Sequence, residues 1–306
     1  MKPICVDEFI INPTSEVKPR ITISPFSFQI INCTQFKDTE LAEKYLENRF
    51  NMYHIEVKAR YAIPNILKSL GLGSDDIVTI LTTSGNYYIS SCVTNAIETV
   101  CKWNREIVPN TRAIFVNHEF GYPFENIEEL KTHNLPIIED CVHSFIHDKQ
   151  IGNVGDFVIY SLSKNYPMQI GAVVKQNNTI LKYHSNITDI EKRFVLNNFS
   201  KYIPQLIKIE GQKKKNLLYL QHSLETDGIT PFFRMPQSVV PNVFLFRINK
   251  NINLQELKNF MWDNGIESSV FYGKDAFFIP CNYTLSKHEL DYMITLIRYY
   301  VKKVSL

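Results

Sequence analysis

Asp140 closes the apolar run "LPIIED", and Lys164 follows the buried run "DFVIYSLSK" by only a few residues. Polar residues just past an apolar strand stand where a sheet meets its loops, the place where α/β sheets hold their ligands. A carboxylate there needs a partner. Facing a protonated heterocycle, Asp140 would keep the ring positive and make it an electron sink. An amine in the same kind of place, partly desolvated, has a lowered pKa and attacks aldehydes. Each residue alone also has a plain account: Asp140 as a helix N-cap or surface acid, Lys164 as a solvated loop cation. Together with Ser161, whose hydroxyl suits a phosphate oxygen in a Ser-x-x-Lys pattern, they describe a cradle for an aldehyde-bearing cofactor.

Other chemistry finds little support in the sequence. His54, His118, His133 and His147 have no His-x-x-His or His-x-x-x-His spacing, so no metal site is expected, although His118 ends a strand at the edge of the expected pocket. "GLGSDD" leads from a helix into a strand, the reverse of the order a phosphate loop or dinucleotide fingerprint needs. With a net charge of +2 and basic residues spread along the chain, no nucleic-acid footprint is expected. Lys213, Lys214 and Lys215 read as a solvated helix face. The six cysteines form no CxxC pair, which fits a reducing cytoplasm, and no apolar run is long enough to span a membrane.

The elements that must position these residues are legible as a pattern. "DTELAEKYLENRF", "RYAIPNILKSLGL", "SSCVTNAIETVCKW" and "PFENIEELKTHN" read as helices. "DDIVTILTT", "TRAIFVNHEF", "LPIIEDCVHSF" and "DFVIYSLSK" alternate with them as apolar strands. This alternation predicts an α/β fold with a mostly parallel sheet. After "KKKNLLYLQHSLE" the texture changes to "NVFLFRI", "NLQELKNFMWDNGI", "ESSVFYG" and "SKHELDYMITLIRYYV", a smaller α+β unit. The predicted division is an unassigned segment over 1–40, a large domain over 41–234 and a small C-terminal domain over 235–306.

The run "LPIIEDCVHSF...GDFVIYSLSKNYP" resembles the DegT/DnrJ/EryC1/StrS aminotransferases, a pyridoxal-phosphate family with the fold type I architecture of aspartate aminotransferase. "NHEFGYPFENIEELKTHNLPIIED", "LKSLGLGSDDIVTILTT" and "LQELKNFMWDNGIESSVFY...FFIPCNYTLSKHELDYMITLI" are similar to further family segments in the same order, over roughly residues 40 to 306. The resemblance implies that Asp140 pairs with the pyridine nitrogen, His143 packs beside the ring or its hydroxyl, Ser161 binds the phosphate and Lys164 carries the cofactor covalently. The usual Ser-Gly-Thr phosphate loop is replaced by "VKARYAI". A branch with Gly-Arg there fits better, which puts Ala59 and Arg60 at the phosphate, with a structural salt bridge the other account of Arg60. Tyr88, in "SGNYYISS", is expected as the stacking platform. The glycine pair after the lysine is reduced to Gly171 before Ala172.

The resemblance further implies a short, divergent homodimeric aminotransferase. It would move an amino group from glutamate to a keto-sugar nucleotide or related carbonyl compound, in polysaccharide or secondary-metabolite synthesis. The alternative is a protein of the same fold that runs another reaction or serves as an inactive binding subunit.

Overall fold

Strand and helix alternation follows from where the apolar residues fall, and the computed structural model describes residues 4–6, 9–11, 21–25, 38–146, 148, 151–178, 180–234 and 239–304. His147, and residues 235–238 at the expected domain boundary, lie outside the described residues. An N-terminal hairpin pairs β1 (Ile4–Val6) with β2 (Phe9–Ile11). Helix α1 (Glu40–Arg49) follows, then β3 (Tyr53–Glu56), α2 (Ala59–Ser69), β4 (Ile77–Thr82), α3 (Ser91–Glu98), β5 (Lys102–Asn104) and β6 (Thr111–Asn117). Next come β7 (Ile137–Asp140), β8 (Phe157–Ser161), the one-turn α4 (Leu162–Asn165), β9 (Ala172–Gln176), α5 (Asp189–Ser200) and α6 (Leu206–Glu225).

These build a seven-stranded sheet in the order β3-β9-β8-β7-β6-β4-β5. The pairings from β8 through β7, β6 and β4 to β5 are parallel, and β9 runs antiparallel to both β8 and β3. The mostly parallel sheet is therefore as expected. Its central strands are apolar on both faces, because helices cover both. On β8, Phe157 and Ile159 pack toward α2 and α3, whereas Val158 and Tyr160 pack toward α1 and α5. Alternate side chains of one strand thus seed two separate cores.

A second sheet, in the order β10-β11-β13-β12, comprises β10 (Ile229–Pro231), β11 (Val243–Ile248), β12 (Ser269–Val270) and β13 (Phe277–Pro280). The C-terminal half of α6, with α7 (Leu254–Asp263) and α8 (Lys287–Val304), shares its core, which includes Leu220, Phe246, Met261, Ile279 and Ile297. Residues 21–25 reach both units: Ile21 bridges Ile266, and Ser24 Oγ donates to the Ser163 carbonyl at 2.7 Å.

Three expectations shift. "PFENIEELKTHN" forms a 3-10 stretch over Ile127–His133 in place of an α-helix, because Asn126 and Asn134 on either side adopt left-handed backbone. The helix expected over "SSCVTNAIETVCKW" stops at Glu98, and Lys102–Asn104 joins the sheet edge. The three lysines are not one solvated face. Lys215 is exposed, but Lys213 lies inside, with 1% of its surface accessible.

No helix among the described residues is long and apolar enough to cross a membrane. Cys92, Cys101, Cys141 and Cys281 are free thiols.

Candidate active site

The carboxyl ends of β4, β6, β7 and β8 open into a cavity of about 610 Å³, closed on its far side by Val243, Phe271, Tyr272 and Phe278 of the second unit. That volume suits a cofactor-sized ligand. Asp140, His143, Ser161, Lys164, Ala59, Arg60 and Tyr88 all line it. The residues picked from the sequence, drawn from four stretches of chain, are therefore brought together.

Asp140 is the last residue of β7 and is 3% exposed. Its carboxylate accepts from Asn117 Nδ2 at 2.8 Å and from the Val142 N–H at 3.2 Å. Burial pushes its pKa up, while the Lys164 charge and these donors pull it down. No ion pair fixes it among the described residues, so its remaining lone pairs suit a cationic N–H donor.

Glu139, one residue earlier, points to the other side. It accepts from His118 Nε2 at 2.9 Å and from the N–H groups of Gly152, Val154 and Gly155. His118 Nδ1 in turn accepts from the Phe124 N–H at 3.0 Å. His118, expected at the pocket edge, is instead a buried clamp with the 152–155 loop. Ligand atoms of His118, Glu139 and Cys141 lie within 4.8 Å of one another. The imidazole, however, already uses both its nitrogens within the protein.

Lys164 sits in the one-turn helix α4, whose first two N–H groups, those of Leu162 and Ser163, both donate to the Gly171 carbonyl. Gly171 has φ +134°, and a Cβ there would meet Val195 Cγ1 at 3.1 Å and Leu162 Cβ at 3.3 Å. The single glycine left from the family's pair thus makes the close approach that holds the lysine turn. Asn165 Nδ2 ties the same turn to the carbonyls of Val142, Ser144 and Ser161. This brings Lys164 Nζ to 2.9 Å from His143 Nε2. Burial lowers the Lys164 pKa against the pull of Asp140, and burial with the nearby Lys164 and Lys213 charges holds His143 well below its ordinary value.

The expected phosphate loop is the start of a helix. Lys58 is the N-cap of α2, and Ala59 and Arg60 are its first residues. Their N–H groups and the helix dipole favour an anion at that end of the cavity. Arg60 is exposed at the rim, whereas Lys58 is half-buried, with its pKa lowered by burial and by the Arg60 charge. Ser161 Oγ, 4% exposed, has Ser163 Oγ at 3.3 Å. Tyr88 is 52% exposed and packs against Tyr272 at 5.3 Å between ring centroids.

Sequence reasoning missed several wall residues. Lys58 stood in the quoted loop without being singled out. Phe120 takes φ +55° and packs its ring against His143, Phe271 and Phe278. Non-glycine backbone in this region is strained and clusters at functional sites. Next to it, Gly121 at φ +95° allows contact with the His143 carbonyl, which a Cβ would approach to 2.9 Å.

These residues fit pyridoxal phosphate. They offer an anion-favouring helix start and hydroxyl at one end, an amine with lowered pKa beside the cavity, and a buried carboxylate with spare lone pairs on its floor.

Residues 96–190 match the model of the DegT/DnrJ/EryC1/StrS aminotransferase family. No curated protein sequence matches the chain. Among solved structures it is similar to the aminotransferase TlmJ from Streptoalloteichus hindustanus, with a TM-score of 0.69 at 13% identity, covering 88% of this chain and 91% of that one. The putative sugar aminotransferase Spr1654 from Streptococcus pneumoniae, in its PLP form, also gives 0.69, at 16% identity, covering 87% and 91%. DesV from S. venezuelae, in complex with a ketimine intermediate, gives 0.63 at 16% identity, covering 85% and 88%. At such identities these likenesses establish the fold, that of the fold type I aminotransferases. The matched segment contains Asp140, His143, Ser161 and Lys164, so the stretch similar to the DegT/DnrJ/EryC1/StrS aminotransferases is the one that lines the cavity, within a fold of the type I aminotransferases.

Proposed function

We propose that the chain moves an amino group from glutamate to the carbonyl of a keto-sugar nucleotide or a related compound, in polysaccharide or secondary-metabolite synthesis. The observation that carries this reading is the convergence of Lys164, His143 and Asp140 on one cavity. The sugar part draws on the family resemblance and on the likeness to Spr1654, itself described as a putative sugar aminotransferase.

Pyridoxal phosphate bound there would supply an aldehyde for the lysine and a ring that accepts electrons when its nitrogen is protonated. The chain's own residues divide the remaining work. Lys58, the N–H groups of Ala59 and Arg60 and the Ser161 hydroxyl hold the phosphate end. Asp140, positioned by Asn117 and the Val142 N–H, would hold a proton on the ring nitrogen. Lys164 would provide the amine that links to the aldehyde, and its Nζ, when free, is placed to hold or move a proton beside the cavity. His143 and Tyr88 would border the ring, and the aromatic wall of Phe271, Tyr272 and Phe278 would exclude water from one side. The acceptor enters past that wall.

Homodimer formation is proposed from the family resemblance and is tested by sedimentation at micromolar concentration, where a monomer would count against it. A cytoplasmic location fits the free thiols. The donor is tested by adding glutamate to protein loaded with pyridoxal phosphate. Loss of visible absorbance with formation of 2-oxoglutarate supports the reading, and a band that glutamate leaves unchanged sinks it.

A further inference from the structure

Lys213 carries its amine into the protein interior, where no carboxylate among the described residues pairs with it. Nζ lies 4.7 Å from the centroid of the Phe145 ring and donates to Asn242 Oδ1. Asn242, 1% exposed, spends its other end on the cofactor site. Its Nδ2 donates to the Lys164 carbonyl at 3.2 Å and to His143 Nδ1 at 3.3 Å.

The polarity of this chain of bonds is set at both ends. A lysine ammonium only donates and a main-chain carbonyl only accepts, so the Asn242 amide cannot flip without losing both bonds. Burial lowers Lys213 to about 8, against the pull of Cys281 and Glu210, so it remains an ammonium at neutral pH. His143 Nδ1 therefore meets an N–H and must accept, which places the proton of the neutral ring on Nε2. Nε2 faces Lys164 Nζ at 2.9 Å. An N–H there needs a lone pair on the lysine, and only the neutral amine has one. The reverse arrangement, an ammonium donating to a bare Nε2, would set an Nδ1 proton against the Asn242 N–H.

We propose that Lys213 and Asn242 are positioning residues that fix His143 as its Nε2–H tautomer and so hold Lys164 as a neutral, nucleophilic amine in the cofactor-free protein. The role of Lys164 rests on the proposed function, but the tautomer of His143 can be measured without it. Around Lys164, the carboxylates of Asp140 and Glu267 and the Cys92 thiol favour its charged form, and Arg60 opposes it. Around His143, Lys164 and Lys213 both disfavour a positive ring.

The test uses the full chain, freed of cofactor and labelled with 15N at histidine, with His143 assigned through His143→Gln. Multiple-bond 1H–15N correlations at pH 7 read the tautomer directly. The expected pattern is an unprotonated Nδ1 and a protonated Nε2. An Nδ1–H ring, or an imidazolium, overturns the proposal. Asn242→Asp keeps an acceptor for Lys213 but turns an acceptor toward Nδ1, so His143 moves its proton there and Lys164 becomes charged. The rate at which added pyridoxal phosphate is captured at pH 7 then falls about tenfold for each unit by which the lysine pKa rises. A folded Asn242→Asp protein with unchanged tautomer and capture rate overturns the proposal as well. If that variant does not fold, the wild-type spectrum alone decides. A wild-type protein that shows the Nε2–H pattern yet captures no pyridoxal phosphate would sink the proposed function and leave the relay standing.

Discussion

Glu139 and Asp140, consecutive residues of β7, serve opposite sides of the sheet: Glu139 clamps His118 and the N–H groups of the 152–155 loop, and Asp140 lines the cavity. Strand alternation separates a structural carboxylate from one available to chemistry.

Glu139→Gln is expected to cost about 2 kcal/mol of stability at pH 7, since the buried network loses its charge and one of its two acceptor oxygens. Burial pushes the Glu139 carboxyl up, but His118 and the loop N–H groups outweigh it and hold the folded pKa below 4.5. A depressed folded pKa gives stability that is present above the unfolded value and lost as pH falls through the folded one. Urea unfolding should therefore show the gap between wild type and variant closing as pH drops below about 4.5. A gap that stays constant would refute the assignment.

Asp140→Asn should leave cofactor binding largely in place and lower the amino-transfer rate by about a hundredfold, because an amide does not stabilise a protonated ring nitrogen as a carboxylate does. Removing the Asp140 charge also takes away the largest of the charges that raise the Lys164 pKa, so the lysine should titrate lower in the cofactor-free variant. Single-turnover kinetics with glutamate check the first effect. Capture of pyridoxal phosphate as a function of pH checks the second.

Lys58→Ala should weaken pyridoxal phosphate binding by about tenfold or more, because a half-buried cation beside a phosphate is poorly screened. Arg60→Ala, at the exposed rim, should have a smaller effect. Equilibrium dialysis distinguishes the two, and equal losses would contradict the placement of Lys58.

Gly171→Ala should cost about 2 kcal/mol from positive φ and crowding against Val195 and Leu162. A thermal melt would then move down by about 4–8 °C. The Gly171 carbonyl anchors the lysine turn, so activity should fall further than stability alone explains.

The strands that lead to Asp140 and Lys164 were legible because both are apolar runs followed by polar residues, and a strand buried on both faces must read that way. The edge strand β3 and its neighbour β9 were not. "YHIE" is too short and polar to stand out, and "AVVKQ" gains its meaning only from antiparallel pairing. The helical pattern of "IEELKTH" was real, but the left-handed asparagines on either side confine it to one tight stretch. Within the site, the residues close to the strand ends could be named from position. Asn242 could not, because it meets His143 across 99 residues of chain, and its value lies in hydrogen-bond polarity that spacing does not encode. Lys213 misled for a related reason. Amid Lys214 and Lys215 it looked solvated, and only the packing of α6 shows it turned inward.

The central claim is that Lys164 binds pyridoxal phosphate covalently. Protein loaded with the cofactor, reduced with borohydride and digested, should carry one phosphopyridoxyl group on the peptide containing Lys164, and Lys164→Ala should carry none there and lose the visible absorbance. Incorporation on another lysine, or no incorporation in a folded wild-type protein, would contradict the account.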